Sequence, residues 1–228
     1  MESCNLPKHL GIIMDGNGRW AKLRGKNRSY GHQVGSKNVD RIVSHAFKRG
    51  VKSLTLYAFS SENWARPVEE VEKLMKLIEE YLKKFIKKVV KNGVRLTIIG
   101  NREQLSESLV MLIEDCEKKS ENNSDRYLNI AINYGARGEL VRAVNKLVAE
   151  NKEITEKSIL ENLDTFNSGE VDLIIRTGGE KRLSNFLLYQ GAYSELYFSS
   201  VLWPDFDESE FDKAIEDYLS RNRRFGKI

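Results

Sequence analysis

Short apolar runs alternate with longer amphipathic stretches along nearly the whole chain. Compact apolar runs bounded by turn residues read as buried strands. They fall at residues 9–14, 53–59, 94–99, 127–133, 171–176 and 195–198. Between them apolar residues recur every three or four positions, the period of a helix with one buried face. This spacing predicts helices over residues 31–49, closed by Gly50, and 68–91, opened by Pro67 near the favoured first position. Ser106 suits the cap of the next helix. Further helices are predicted over 137–150, 184–190 and 207–221. The 68–91 stretch has a wide apolar face that includes Val71, Leu74, Ile78, Leu82, Phe85 and Val89. Packing against a sheet accounts for that face by itself.

Such alternation implies an α/β fold: a single domain over 1–228 with a mostly parallel six-stranded central sheet flanked by helices. No repeat, low-complexity segment or long linker divides the chain. Ligands bind such sheets in the crevice beyond the carboxyl ends of the strands. Three chemically rich loops follow predicted strands and should gather there.

The first is Asp15-Gly16-Asn17-Gly18-Arg19-Trp20. Its glycines permit a tight turn and close approach of backbone N–H groups to an anion. Arg19 adds a planar donor fork, and Asp15 a carboxylate suited to Mg²⁺ beside phosphate oxygens. A plain structural turn with a capping Asp is the alternative reading of these six residues. The segment from Gly16 to Ala21 also fits a dinucleotide fingerprint in form, but no acidic residue ends a strand about 20 residues on. The second loop, residues 59–67, crowds Ser60, Ser61, Glu62, Asn63, Trp64 and Arg66 together. Its tryptophan either serves a ligand or packs on the following helix. The third loop contains Arg176, Gly178, Gly179, Arg182 and Ser184, the makings of a phosphate cradle or of a solvated glycine turn.

Composition narrows the partners. Apolar residues make up 40% and charged residues 31%, ordinary values for a globular protein with a sizeable core. The net charge of +4, from 37 basic and 33 acidic residues, is too small for a protein that coats nucleic acid. Cys4 and Cys116 form no CxxC pair, so a zinc ribbon or disulfide framework is not expected, and a reducing compartment is. No apolar run approaches the ~18 residues that span a bilayer. The expectation is a cytoplasmic protein, at most peripheral to a membrane.

Taken together, the loops and the segment Arg28-Ser29-Tyr30-Gly31-His32 resemble the cis-prenyltransferases, also called isoprenyl transferases or undecaprenyl diphosphate synthases. The resemblance runs from His9 to Gly226. It implies a parallel-sheet domain with a deep hydrophobic tunnel, a homodimer, Mg²⁺, and two substrates, an allylic diphosphate and isopentenyl diphosphate. By the same resemblance, Asp15 holds the metal and assists departure of the allylic diphosphate. Gly16, Asn17, Gly18, Arg19, Arg28 and His32 cradle that diphosphate, and Trp20 contacts substrate. Ser60, Ser61, Glu62, Asn63, Trp64 and Arg66 form a loop near the reacting ends, with Asn63 tied to proton removal. Arg176, Arg182 and Ser184 match the isopentenyl diphosphate site, and Glu195 a second carboxylate near the metal. Arg224 belongs to an Arg-x-Gly that reaches the partner's active site. Some members carry histidine where this chain has Lys181, which leaves any third protein ligand open. His45 is expected to have no special role.

Helix 68–91 is expected to wall the tunnel, and Ala58 is small at the inner end of the second strand. A medium-length product follows, with a short-chain synthase or a non-catalytic partner subunit as the alternatives. A neutral carboxamide is a poor base, so Asn63 is expected to orient the group that takes the proton. Arg19, Arg28, Arg176 and Arg182 in one empty pocket should repel one another, which favours a polyanionic ligand.

Overall fold

A computed structural model describes residues 6–221. Six strands form one wholly parallel sheet: β1 (His9–Ile13), β2 (Ser53–Ser60), β3 (Val94–Ile99), β4 (Arg126–Tyr134), β5 (Leu173–Arg176) and β6 (Glu195–Phe198). Their spatial order is β3-β4-β2-β1-β5-β6. Helices cover both faces: α1 (Asn17–Leu23), α2 (Arg28–Arg49), α3 (Val68–Lys91), α4 (Glu107–Ser120), α5 (Ala136–Ala149), α6 (Glu156–Glu161) and α7 (Glu208–Ser220).

Central strands buried on both faces explain the continuous apolar runs. Leu10, Ile12, Leu54, Leu56, Leu173 and Ile175 join α2, α3 and α7 in the larger core. Ile13, Ile174 and Ala131 turn to a smaller core with Tyr134 and Phe186. Each fully buried aliphatic side chain contributes about 1.5–3 kcal/mol before entropy is counted.

Local chemistry sets the helix ends. Asn27 accepts from Tyr30 N at the start of α2, and Gly50 closes it in a left-handed conformation. This asparagine cap starts α2 three residues before the predicted Gly31. Ser106 caps α4 as expected. Pro67 is the cap residue of α3 rather than its first helical position.

The predicted helix over 184–190 is absent. Ser184, Asn185 and Leu187 have positive φ in a chain of turns. Asn185 is drawn out of helical geometry because it caps α5. Its carbonyl accepts from Ala136 N, and its side-chain oxygen from Arg137 N.

Where β2 meets β4, the register slips at the carboxyl end: Tyr57 pairs with Ala131 but Phe59 with Ile132. Ala58 is therefore the extra residue of a bulge. The bulge lets consecutive residues from Leu56 to Ser60 all line one cavity, which a regular alternating strand would not do.

Candidate active site

A cavity of about 380 Å³ opens at the carboxyl edge of the sheet and runs inward between β2, α2 and α3. Its mouth is polar, lined by Asp15, Asn17, His32, Ser60, Asn63, Arg66, Arg176, Arg182 and Ser184. Its inner part is apolar, lined by Val39, Leu56, Ala58, Leu74, Leu77, Ile78, Tyr81, Leu82 and Ile130. Such a volume is ordinary for a small-molecule pocket.

Asp15 follows β1, and its backbone carbonyl is fixed by Thr177 Oγ1 at 2.7 Å and Trp203 N at 3.0 Å. Its carboxylate meets Arg19 Nη2 at 3.1 Å and Arg176 Nη2 at 3.0 Å. Burial alone would raise the Asp15 carboxyl pKa. The hydrogen bonds and charges of Arg176 and Arg19 outweigh burial and hold it below the usual carboxylate range. Arg176 ends β5 and is buried. Its Nη1 donates to the Arg182 carbonyl and, at 2.8 Å, to Ser184 Oγ. Gly178 has φ of 84°, and a Cβ there would lie 2.6 Å from Arg19 Nη2. Only glycine lets this loop close over the Asp15–Arg19 pair.

On the other side, α1 lies close against α2. A Cβ on Gly35 would sit 2.0 Å from Asn17 Oδ1, so the glycine sets how near that amide can come. Asn17 Oδ1, His32 Nε2 and Arg176 Nε are buried without a hydrogen-bond partner, and all three residues line the cavity. Buried polar atoms in that state are uncommon, and a polar ligand or ordered water would satisfy them. Burial, with a smaller contribution from the Arg66 charge, pushes the His32 pKa down to about 4, so its ring is neutral at pH 7.

Asn63 lines the cavity, and its side-chain oxygen accepts from Ser60 N at 3.2 Å. That commits the oxygen and leaves the NH₂ group with capacity to spare.

Several expected site residues lie elsewhere. Trp20 is buried, its indole donates to Asp205 Oδ1 at 2.7 Å, and it does not line the cavity. Tyr30 stacks on it and the Arg24 guanidinium lies 4.1 Å from its ring centroid, so Trp20 packs α1 rather than contacting the cavity. Trp64 donates to Asn133 Oδ1 at 2.8 Å and meets Phe59 edge-on. It therefore packs on the strands and joins the larger core, which α3 also lines. Ser61 and Glu62 are exposed at the rim, where Glu62 accepts from Asn185 Nδ2 at 3.0 Å. Gly16 and Gly18 shape the turn beside the mouth. Arg224 lies outside the described residues.

Glu195 is not brought to Asp15 within one chain. It begins β6 and aligns through Leu173 with Leu10, five residues before Asp15. At ~3.3 Å per residue that is roughly 16 Å back along the sheet. There it pairs with Arg221 Nη1 at 2.6 Å. Among the described residues no group of three or more His, Cys, Asp or Glu side chains is placed to hold a metal. Asp15 alone still suits Mg²⁺, a hard ion that takes one or two carboxylates and fills its sphere with phosphate oxygens and water.

The expected mutual repulsion of the arginines is answered by acids the sequence reading did not single out. Glu70 takes Arg66 Nη1 at 3.0 Å and Arg28 Nη2 at 3.3 Å. Glu180 takes Arg182 Nη1 at 2.5 Å. Glu70 stands four residues after Arg66 on a helix start, a spacing that was the available signal. Burial works to raise the Glu70 carboxyl pKa, and the charges of Arg28 and Arg66 hold it lower. His45 also has a partner, Asp212 Oδ1 at 2.8 Å, and ties α2 to α7.

The family described as "Putative undecaprenyl diphosphate synthase" matches residues 13–226. The chain belongs to this prenyltransferase family. It is 52% identical over 226 residues to the isoprenyl transferase of Fusobacterium nucleatum, covering 98% of this chain and 97% of that one. It is 51% identical to the ditrans,polycis-undecaprenyl-diphosphate synthase ((2E,6E)-farnesyl-diphosphate specific) of Pasteurella multocida, covering 97% and 95%. Among solved structures, lavandulyl diphosphate synthase from Lavandula x intermedia, in complex with dimethylallyl diphosphate, superposes with a TM-score of 0.92. That pair shares 36% identity over 97% of this chain and 99% of the other.

Proposed function

We propose that the chain is a Mg²⁺-dependent cis-prenyltransferase that condenses isopentenyl diphosphate with an allylic diphosphate, farnesyl diphosphate by preference. The product on this reading is a medium-length Z-polyprenyl diphosphate such as undecaprenyl diphosphate. The supporting observation is the two-natured cavity. A mouth with unpaired buried polar atoms suits diphosphate, and the apolar interior beneath it suits a hydrocarbon chain.

On this reading Asn17, Gly18, Arg19, Arg28 and His32 receive the allylic diphosphate, and Arg176, Arg182 and Ser184 the isopentenyl diphosphate. Asp15 lies between the two groups and would hold Mg²⁺, which when bound offsets charge on the leaving diphosphate. Arg19 and Arg176 would exchange part of their pairing with Asp15 for the diphosphates as that charge develops. Asn63 orients the acceptor of the lost proton. The apolar walls exclude water from the allylic carbon.

Glu195 enters through a second copy. β6 is the edge of the sheet and pairs only with β5 among the described residues. A twofold-related β6 added antiparallel at this edge would carry its own Glu195 toward the carboxyl end of the first sheet. We therefore propose a homodimer in which Asp15 and the partner copy's matching carboxylate share one metal region. One continuous sheet supports reading the chain as one domain. No described helix is long and apolar enough to cross a membrane. The exposed Lys83, Lys84, Lys87, Lys88 and Lys91 on α3 support peripheral contact with an anionic surface, and we propose a cytoplasmic location.

The test is incubation with farnesyl diphosphate, labelled isopentenyl diphosphate and Mg²⁺, with and without chelator, resolving products by length. A metal-dependent ladder ending at a defined length is expected. A single addition would favour the short-chain alternative. No incorporation with any primer would overturn the reading in favour of a non-catalytic subunit.

A further inference from the structure

Two loops of the active site are fastened at one junction, where β4 passes into α5. The first carries Ser60, Asn63 and Arg66, and Trp64 ties it to Asn133 near the end of β4 at 2.8 Å. The second is the turn over residues 182–187, which brings Arg182 and Ser184 to the cavity mouth. Asn185 stands between them and does not itself line the cavity. Gly135 makes room for both loops at the junction. A Cβ there would lie 2.5 Å from Asn185 Nδ2 and 2.7 Å from Ser61 Oγ.

Asn185 has φ of 61°, a left-handed conformation that asparagine and aspartate tolerate better than most residues with a Cβ. Its carbonyl accepts from Ala136 N at 2.8 Å, and its Oδ1 from Arg137 N at 3.0 Å, both at the start of α5. Its Nδ2 points the other way and donates to Glu62 Oε1 at 3.0 Å. Burial works to raise the Glu62 carboxyl pKa, and hydrogen bonds, the one from Asn185 foremost, hold it lower. Glu62 is therefore a charged acceptor. The neighbours of Asn185 are held as well. Phe186 is buried and stacks on Tyr57 with centroids 4.5 Å apart. The Tyr57 hydroxyl lies 3.1 Å from the Tyr134 carbonyl and 3.3 Å from that of Ser184. Arg176 Nη1 donates to the Arg182 carbonyl and, at 2.8 Å, to Ser184 Oγ.

We propose that Asn185 is a positioning residue for the condensation. Through Glu62 it holds the loop that carries Asn63, and through its backbone it holds the arm that carries Arg182 and Ser184, so the two loops keep one spacing. The inference rests on reading Arg182 and Ser184 as the seat of isopentenyl diphosphate and Asn63 as the group that orients the proton acceptor. A helix cap alone accounts for the bonds to α5 but not for the donation to Glu62.

The test exchanges the two ends of the Asn185–Glu62 bond. Asn185→Asp still accepts from Arg137 N, and a negative charge suits a helix start. It cannot donate to Glu62, and two carboxylates then face each other. The melting temperature should stay close to that of the unaltered protein. KM for isopentenyl diphosphate should rise roughly fivefold, an exposed charged contact being weaker than a buried one. KM for the allylic diphosphate should not change, and kcat should fall as Asn63 is displaced. Adding Glu62→Gln supplies an amide donor to the new carboxylate and should restore both parameters to those of Glu62→Gln alone. Calorimetric titration of isopentenyl diphosphate, with no allylic substrate present, should show the same loss and recovery of affinity. Unchanged KM and affinity in Asn185→Asp, or a loss that Glu62→Gln does not recover, overturns the inference and leaves Asn185 a helix cap only. If the unaltered protein elongates nothing yet the titrations show the loss and its recovery, the functional reading fails and the positioning role stands.

Discussion

The sheet buries polar side chains at both of its edges, and the two clusters are finished differently. At the amino edge His9 is wholly buried, with Nδ1 at 2.9 Å from the Gly169 carbonyl and Nε2 at 2.7 Å from Thr55 Oγ1. Asn129 Nδ2 donates both to that threonine, at 2.9 Å, and to Ser168 Oγ, at 2.8 Å. At the carboxyl edge His32 has its Nε2 unpartnered, as have Asn17 at Oδ1 and Arg176 at Nε. Both histidines have their pKa pushed down to about 4, chiefly by burial. A perturbed pKa therefore does not separate the clusters. Completeness of hydrogen bonding does. The closed network fixes β1, β2 and β4 to one another, whereas the open one keeps capacity for a ligand.

The strongest way to break this comparison is at Asp15. Asp15→Asn should lower turnover by about 10²–10³, the usual cost of losing one preorganised electrostatic contact. Labelled-isopentenyl incorporation would measure it, with circular dichroism confirming the fold. A near-normal rate would mean that the open cluster is not where the chemistry occurs.

Acid should act on both edges. The unfolded chain protonates a histidine near pH 6.5, whereas His9 and His32 resist protonation until about 4. The folded state therefore binds fewer protons in that window. The stabilising contribution is full above pH 6.5 and falls away as pH drops to 4, by about 3 kcal/mol per histidine. Urea midpoints across this range measure the sum. Inorganic diphosphate should sharpen the contrast, because an anion beside His32 raises its pKa and leaves His9 unchanged. Histidine NMR titrations would resolve the two.

Smaller still is the paired substitution of the histidines. His9→Leu strands the Gly169 carbonyl and one side of Thr55, and should cost about 1–3 kcal/mol of stability with turnover preserved in the folded enzyme. His32→Leu should raise KM roughly tenfold or more, since a hydrogen bond to a charged ligand contributes about 1.5–3 kcal/mol, and should leave the melting temperature nearly unchanged. A reversed pattern would end the distinction between the edges. Glu70→Gln is expected to have the smallest effect, a few-fold rise in KM from loosened Arg28 and Arg66. A steady-state comparison at two ionic strengths checks it, because partly exposed charges are screened by salt.

The alternating pattern of the chain sufficed for the strands, the parallel sheet and the loops at its carboxyl edge. Those follow from local hydrophobic period and turn chemistry, which are written in consecutive residues. Asp15, Asn17 and Arg176 were legible as candidate site residues because the loops that carry them follow strands whose ends converge on one crevice, whereas His32, inside α2, was reached only through the resemblance. The turns at 184–187 were not legible, because Asn185 answers to the N–H groups of α5, 48 residues away in sequence at Arg137. Nor was the bulge at Ala58, which exists only in the register of β2 against β4. Trp20 and Glu195 were placed by residue type and resemblance. Their orientation was decided by Asp205, Arg221 and the direction of β6. What the sequence by itself determined was which elements form and what chemistry their ends carry. Only the tertiary structure decided which polar groups find partners, because that depends on distances between residues that no local pattern encodes.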